Sequence, residues 1–262
     1  EIALGNAVGS VICDDGIALA LAAILAPTFI AINRRVWKAA AIFLSVIYIC
    51  VYMFALNGTI ARFEGAVLLV FLAGYFTFLI LQELKNRNEN IPIPGMSEIP
   101  TESELPEKTA DASLARLFTI VILCLSGIVI ASHFVVGSSV KLAQFMGVPE
   151  VIIGLTIIAI GTSLPEITTC IISARKGFGD IAVGNIIGAD ILNILWIIGA
   201  SSVVNPIHVS SKEINFMFPA MIIVVATMLI CMRIGYKIGT RTGLVLLGEY
   251  LIYIFLTIYL FY

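Results

Sequence analysis

Eight apolar stretches, each about as long as a helix needs to cross a bilayer, occupy most of this 262-residue chain and set the terms of its fold. They run approximately over 3–26, 36–56, 63–84, 114–137, 150–173, 180–204, 214–232 and 242–262. A chain of this kind satisfies its backbone inside the membrane by forming helices, so the expected fold class is all-α and polytopic. Charged residues make up 12% of the sequence and hydrophobic ones 60%, against about 25% and 45–50% in soluble domains, which excludes a soluble globular protein. The net charge of −2 and the scattered basic residues leave no footprint for nucleic acid. The five cysteines (Cys13, Cys50, Cys124, Cys170, Cys231) fall one to a stretch without metal or redox spacing.

Turn chemistry separates the stretches. Asn57-Gly58, Pro149, Lys176-Gly177-Phe178-Gly179 and Asn205-Pro206 stand at the joints. One connection is long. Residues 85–113, rich in Pro, Glu, Ser and Asn, have the composition of a solvated linker. The chain therefore divides into 1–84 with three helices, the linker 85–113, and 114–262 with five. Of the Lys and Arg, Arg34, Arg35, Lys38, Lys85, Arg87, Lys108, Arg116, Arg175, Lys176, Arg233, Lys237 and Arg241 fall in alternate joints, and Arg62, Lys141 and Lys212 in the others. The positive-inside rule makes the linker cytoplasmic and sets the C-terminus outside.

Residues 1–15 (EIALGNAVGSVICDD) align without a gap on 180–194 (DIAVGNIIGADILNI). The two copies open the first and sixth stretches, five spans apart, and an odd separation puts them in opposite orientations. Inverted repeats with interrupted helices are a recurrent plan of secondary transporters, with the site at the interface of the copies.

Intramembrane charges are costly and mark function; here they are Asp14, Asp15, Glu166, Asp190 and Glu249. In Gly161-Thr162-Ser163-Leu164-Pro165-Glu166 the proline must break the helix and free backbone carbonyls. Thr162, Ser163 and Glu166, three and four apart, can converge beside them. Carboxylate, hydroxyl and carbonyl oxygens are the ligand set of hard cations such as calcium. Ser10 and Asp14 share a face of the first helix, and their repeat mates are Ala189 and Asn193. Asp190 is placed at the same cavity or at its edge. Asp15 reads as a second-layer partner, Asn6 and Asn185 as bridges between helices, and Glu249 as an interhelical hydrogen-bonding group. Gly5, Gly9, Gly184 and Gly188 read as faces for close helix approach. His133 and His208 are too far apart to suggest a metal pair. The sequence contains no protease, kinase, P-loop or zinc signature, so no enzyme and no cofactor is expected.

These residues resemble the cation/calcium exchanger superfamily, and within it the microbial sodium/calcium exchangers. GTSLPE at 161–166 followed by GDIAVGNIIGADILNILWIIGAS at 179–201 is similar to that family's second repeat, and GNAVGSVICDDG at 5–16 to the latter half of its first. The resemblance implies a ten-helix inverted-repeat fold, of which eight helices are present. It also implies exchange of sodium for calcium by alternating access at a midplane site. Glu166 would be the central carboxylate, Thr162 and Ser163 hydroxyl ligands, the Ala159 carbonyl a sodium ligand, and Ser10, Asp14 and Asn193 ligands from the repeat helices. Ala189 departs from the serine of many members, and Asp14 and Asn193 distribute acid and amide in the opposite sense to some relatives. By symmetry two helices and a second motif carboxylate are expected before Glu1. Calcium/proton exchange is the alternative within the same fold, and a non-transporting truncated subunit or channel the alternative of another class.

Overall fold

A computed structural model describes residues 2–88, 114–147 and 153–261. Eight helical spans follow the apolar stretches. α1 is built from Ile2–Cys13, a π-helical segment Asp14–Leu19 and Ala20–Leu25; α2 is Arg34–Ala55, α3 Arg62–Asn88 and α4 Leu114–Phe145. α5 joins Gly154–Ile158, Ala159–Thr162 and Leu164–Arg175, and α6 joins Gly179–Leu192, the π-helical Asn193–Ile198 and Gly199–Val204. α7 is Glu213–Met217 with Phe218–Arg233, and α8 is Thr240–Phe261.

Two boundaries move from their expected places. α4 continues to Phe145 rather than ending at 137, because Gly137-Ser138-Ser139 is followed by a further apolar turn and no proline. α3 runs on to Asn88, so the first four residues assigned to the linker form its last turn. The rest of that linker, and Pro149, lie outside the described residues.

The inverted repeat is written into the backbone. A shift of 179 residues carries Ile2–Cys13 onto the residues that end at Leu192, Asp14–Leu19 onto Asn193–Ile198, and Ala20–Leu25 onto Gly199–Val204. The same shift carries the start of α2 onto the start of α7.

Four two-residue strands fix the orientation. β1 (Ile30–Ala31), after α1, pairs with β4 (Lys237–Ile238), between α7 and α8. β2 (Thr59–Ile60), between α2 and α3, pairs with β3 (Ile207–His208), after α6. β1 and β2 are separated by α2, whose 22 residues span about 33 Å. The two ribbons therefore cap opposite membrane faces, and α1 and α6 run antiparallel. Exchanging the halves turns one ribbon into the other, as a two-fold axis in the membrane plane requires.

Packing repeats the same relation. α3 crosses α6 where a Cβ on Gly65 would lie 2.7 Å from the Gly199 carbonyl, and α8 crosses α1 where one on Gly243 would lie 2.6 Å from the Ala20 carbonyl. Residues 20 and 199 are repeat mates. Small residues let these backbones touch, which in lipid replaces the hydrophobic drive. Gly184 and Gly188, expected to serve this purpose, instead face open space, with nothing within 4 Å of an added Cβ. α1 is the most enclosed span and α4 the least.

The basic residues collect at one face. Arg34 and Arg233 stack on Tyr236 at 4.6 and 4.9 Å, and Lys237 on Phe29 at 4.7 Å, beside the β1–β4 ribbon. At the other ribbon α7 opens with a capping box in which Glu213 Oε2 accepts the Ser210 N–H (2.6 Å) and Ser210 Oγ accepts the Glu213 N–H (3.3 Å).

Candidate ion-binding site

Both repeat helices change from α to π geometry at their midpoints, at the repeat-related positions Asp14 and Asn193. A π turn widens the helix and turns its side chains off register, which is why such turns concentrate at functional sites. The two antiparallel helices thus bring their altered turns together. Asn193 Nδ2 donates to Asp14 Oδ2 at 3.3 Å across the interface.

α5 supplies the third wall. Its two parts meet at 50°, with Pro165 at the start of the second, where its missing N–H is tolerated. A Cβ on Gly161 would collide with Val136 of α4, so only glycine lets α4 close on the break. Beyond the break Ser163 is buried beside Asp14, and Glu166 is close enough to Asp14 for their charges to interact. Asp14 Oδ1, Ser163 Oγ and Glu166 Oε2 are buried without a hydrogen-bond partner. Orphaned buried oxygens of this kind call for a cation or an ordered proton donor.

Thr162 points to the other side of the break. Its hydroxyl lies 3.1 Å from Ser10 Oγ, and its one proton serves either Asn6 Oδ1 (3.0 Å) or the Ala159 carbonyl (3.1 Å). The Ala159 carbonyl also accepts the Ser163 N–H at 3.1 Å. The donor that Pro165 lacks would have served the Gly161 carbonyl, while the short turn Ala159–Thr162 keeps its bond from Ser163. Asn6 acts as a bridge, and so does Asn185, whose Nδ2 donates to the Glu166 carbonyl at 3.4 Å.

Ser10, Asp14, Thr162, Ser163, Glu166 and Asn193 thus share one locus, with Ala159 behind it. Asp190 is set apart. It is fully buried and faces Tyr48 of α2 and Asp15. Glu249 accepts from Thr227 Oγ1 at 2.8 Å, between α8 and α7. His208 lies in β3 with its Nδ1 3.4 Å from Thr59 Oγ1, and His133 is exposed on α4. Among the described residues no three Asp, Glu, His or Cys side chains converge to hold a metal alone. The locus offers a carboxylate pair together with neutral oxygens. Tyr48 was not singled out from the sequence; the available signal was that its repeat mate, Thr227, also carries a hydroxyl in mid-span.

The sodium/calcium exchanger protein family matches residues 1–81 and 116–259. The chain belongs to that family. The sodium/calcium exchanger MaX1 of Methanosarcina acetivorans is 37% identical over 144 residues, which cover 55% of this chain and 41% of MaX1. CaxA of Alkalimonas amylolytica is 31% identical over 98% of this chain and 78% of its own length. Among solved structures, the sodium-calcium exchanger NCX_Mj soaked with sodium and strontium superposes with a TM-score of 0.69 at 25% identity, over 96% of this chain and 75% of that one. The fold is that of the exchangers, an all-α multi-pass membrane protein.

Proposed function

We propose that this exchanger-family protein moves calcium against sodium by alternating access, with the ions held at the locus between α1, α5 and α6. One observation carries the reading. Two antiparallel repeat helices turn π-helical at mate positions, beside a broken third helix, and three buried oxygens are left facing one another there. Glu166 and Asp14 supply the charge, and Ser163, Asn193, Ser10 and Thr162 supply neutral oxygens. The Ala159 carbonyl becomes available to sodium when Thr162 releases it. Asp190 lines the inner end of the same polar region. The protein works as a transporter, without a catalytic residue or cofactor, and its cargo is the ions themselves. The basic face of the β1–β4 ribbon is placed on the cytoplasmic side, which leaves the C-terminal end of α8 outside. The chain is divided functionally into 1–84 and 114–262, joined by a cytoplasmic linker.

The test is uptake of radiolabelled calcium into proteoliposomes, driven by an outward sodium gradient at fixed pH, for the full protein and for Glu166→Gln. Sodium-driven uptake that Glu166→Gln abolishes supports the proposal. Uptake unchanged in Glu166→Gln defeats the site, and uptake driven by a proton gradient instead transfers the protein to calcium/proton exchange.

A further inference from the structure

A second buried polar group lies deeper than the locus above. Asp15 and Asp190 are fully buried and Tyr48 is 2% exposed, on α1, α6 and α2 respectively. Both oxygens of each carboxylate and the tyrosine hydroxyl have no hydrogen-bond partner. The hydroxyl faces Asp190 at the edge of hydrogen-bonding reach, with Asp15 alongside. The charged neighbours of this group are Asp14 and Glu249, which are also acids, so the protein supplies no counter-charge.

The fold does not require acids here. The repeat mate of Asp15 is Ile194 and that of Asp190 is Val11, both fully buried in the apolar core. The same helix pair therefore packs with aliphatic side chains at these positions in its other copy. The mate of Tyr48 is Thr227, whose hydroxyl closes on Glu249 at 2.8 Å. On one arm of the pseudo-two-fold the hydroxyl is bonded within the protein, with Glu249 Oε2 left over, and on the other the hydroxyl stands between two carboxylates. An intramembrane acid is costly to bury without a counter-charge, and two of them around one hydroxyl point to a ligand.

We infer that Asp15, Asp190 and Tyr48 form a second cation site, for a monovalent alkali ion of the sodium class. The five oxygens on offer fall short of the six to eight that calcium takes. Asp14 neighbours both carboxylates, so an ion reaches the site from the Glu166 locus. The choice of sodium rests on the exchanger reading above; the site itself does not.

Binding of radiolabelled sodium to the purified full protein in detergent, counted per chain with and without calcium, tests this. Glu166→Gln is expected to lose the calcium-displaceable sodium and keep one ion per chain. Asp15→Asn and Asp190→Asn are expected to bind one sodium fewer than the parent. Tyr48→Phe keeps the packing and removes one neutral ligand, so the affinity for that ion falls about tenfold. Equal counts in the parent and in Asp15→Asn would overturn the site and leave the two carboxyls sharing a proton. Loss of all sodium in Glu166→Gln would overturn it as well, by reducing the protein to one locus. A parent that moves no calcium but retains the extra sodium would defeat the exchanger reading and leave this site standing.

Discussion

The contact between Asp14 and Asn193 offers a test in which the structure sets the magnitude. These residues are repeat mates, joined by a hydrogen bond of 3.3 Å from Nδ2 to Oδ2. Asn193→Asp replaces the donor by a second carboxylate oxygen at the same separation. Two unit charges at that distance repel by about 5 kcal/mol at an effective dielectric constant of about 20, and the lost bond to a charged group adds about 1.5–3 kcal/mol. Asp14→Asn removes the charge and leaves two amides, which weakens a divalent ion about twice as much as a monovalent one, since the interaction scales with ion charge. The double substitution Asp14→Asn with Asn193→Asp moves the acid to the other repeat and keeps one acid, one amide and the total charge. Because the backbone at the two positions is related by the pseudo-two-fold, the swapped pair recovers the same contact. Thermal unfolding without calcium and apparent calcium affinity in proteoliposomes are measured for all four proteins. Asn193→Asp alone is expected to unfold earliest, Asp14→Asn to lose the most calcium affinity, and the double variant to regain most of both. Additive losses in the double variant would refute the argument, because the two side chains would then act independently and the inverted symmetry would not extend to the site.

Other expectations follow from packing and local geometry. Gly65→Ala and Gly243→Ala drive a methyl into a neighbouring helix backbone and are expected to destabilise by about 1–3 kcal/mol, whereas Gly248→Ala, with nothing within 4 Å of its Cβ, is expected to raise stability by about 0.5–1 kcal/mol; melting temperatures in detergent separate the two classes. Tyr236 holds φ at 51° while stacking on two guanidiniums. Tyr236→Gly removes cation–π contacts of about 0.5–1 kcal/mol each but recovers about 1 kcal/mol of backbone strain, so it is expected to melt above Tyr236→Ala, and the reverse order would show that the strain is absent. Thr162→Ala breaks the links to Ser10 and Asn6 and leaves the Ala159 carbonyl with the Ser163 N–H alone; a change in apparent sodium affinity with calcium affinity within a factor of about three is expected, and equal loss of both would place Thr162 in the calcium cage.

The apolar stretches, the ungapped repeat and the Pro165 break were legible because each is a property of composition or of one residue's covalent geometry. Bilayer thickness fixes the length of a span, and proline forbids a hydrogen bond wherever it stands. What escaped depends on which surfaces meet. The packing glycines are Gly65, Gly199 and Gly243 rather than Gly184 and Gly188, because spacing shows that a smooth face exists and only the neighbouring helix shows that it is used. The π turns at Asp14 and Asn193 carry no propensity signal, and Asp14–Leu19 and Asn193–Ile198 differ in nearly every side chain. Their shared geometry comes from the helix pair they form. α4 runs past Gly137 because a span with little protein against it faces few competing contacts, and its own hydrogen bonds carry it on to Phe145.

The repeat also separates what the scaffold needs from what the chemistry needs. Two copies of the same helix, in the same register and with the same π turn, bury Asp15 against Ile194 and Asp190 against Val11, and place Asp14 against Asn193. A residue that the fold required would recur at its mate position, as Gly199 does with the small Ala20 at the helix crossings. The acids do not recur, so packing alone does not account for them. The asymmetry has a mechanical consequence. In the proposed sites the acids are two to each half, Asp14 and Asp15 against Glu166 and Asp190, but they do not stand at mate positions, so a bound ion would interact differently with the two halves. Each rearrangement of one half against the other then changes the ion's environment, and that difference is what couples ion binding to the choice of open face.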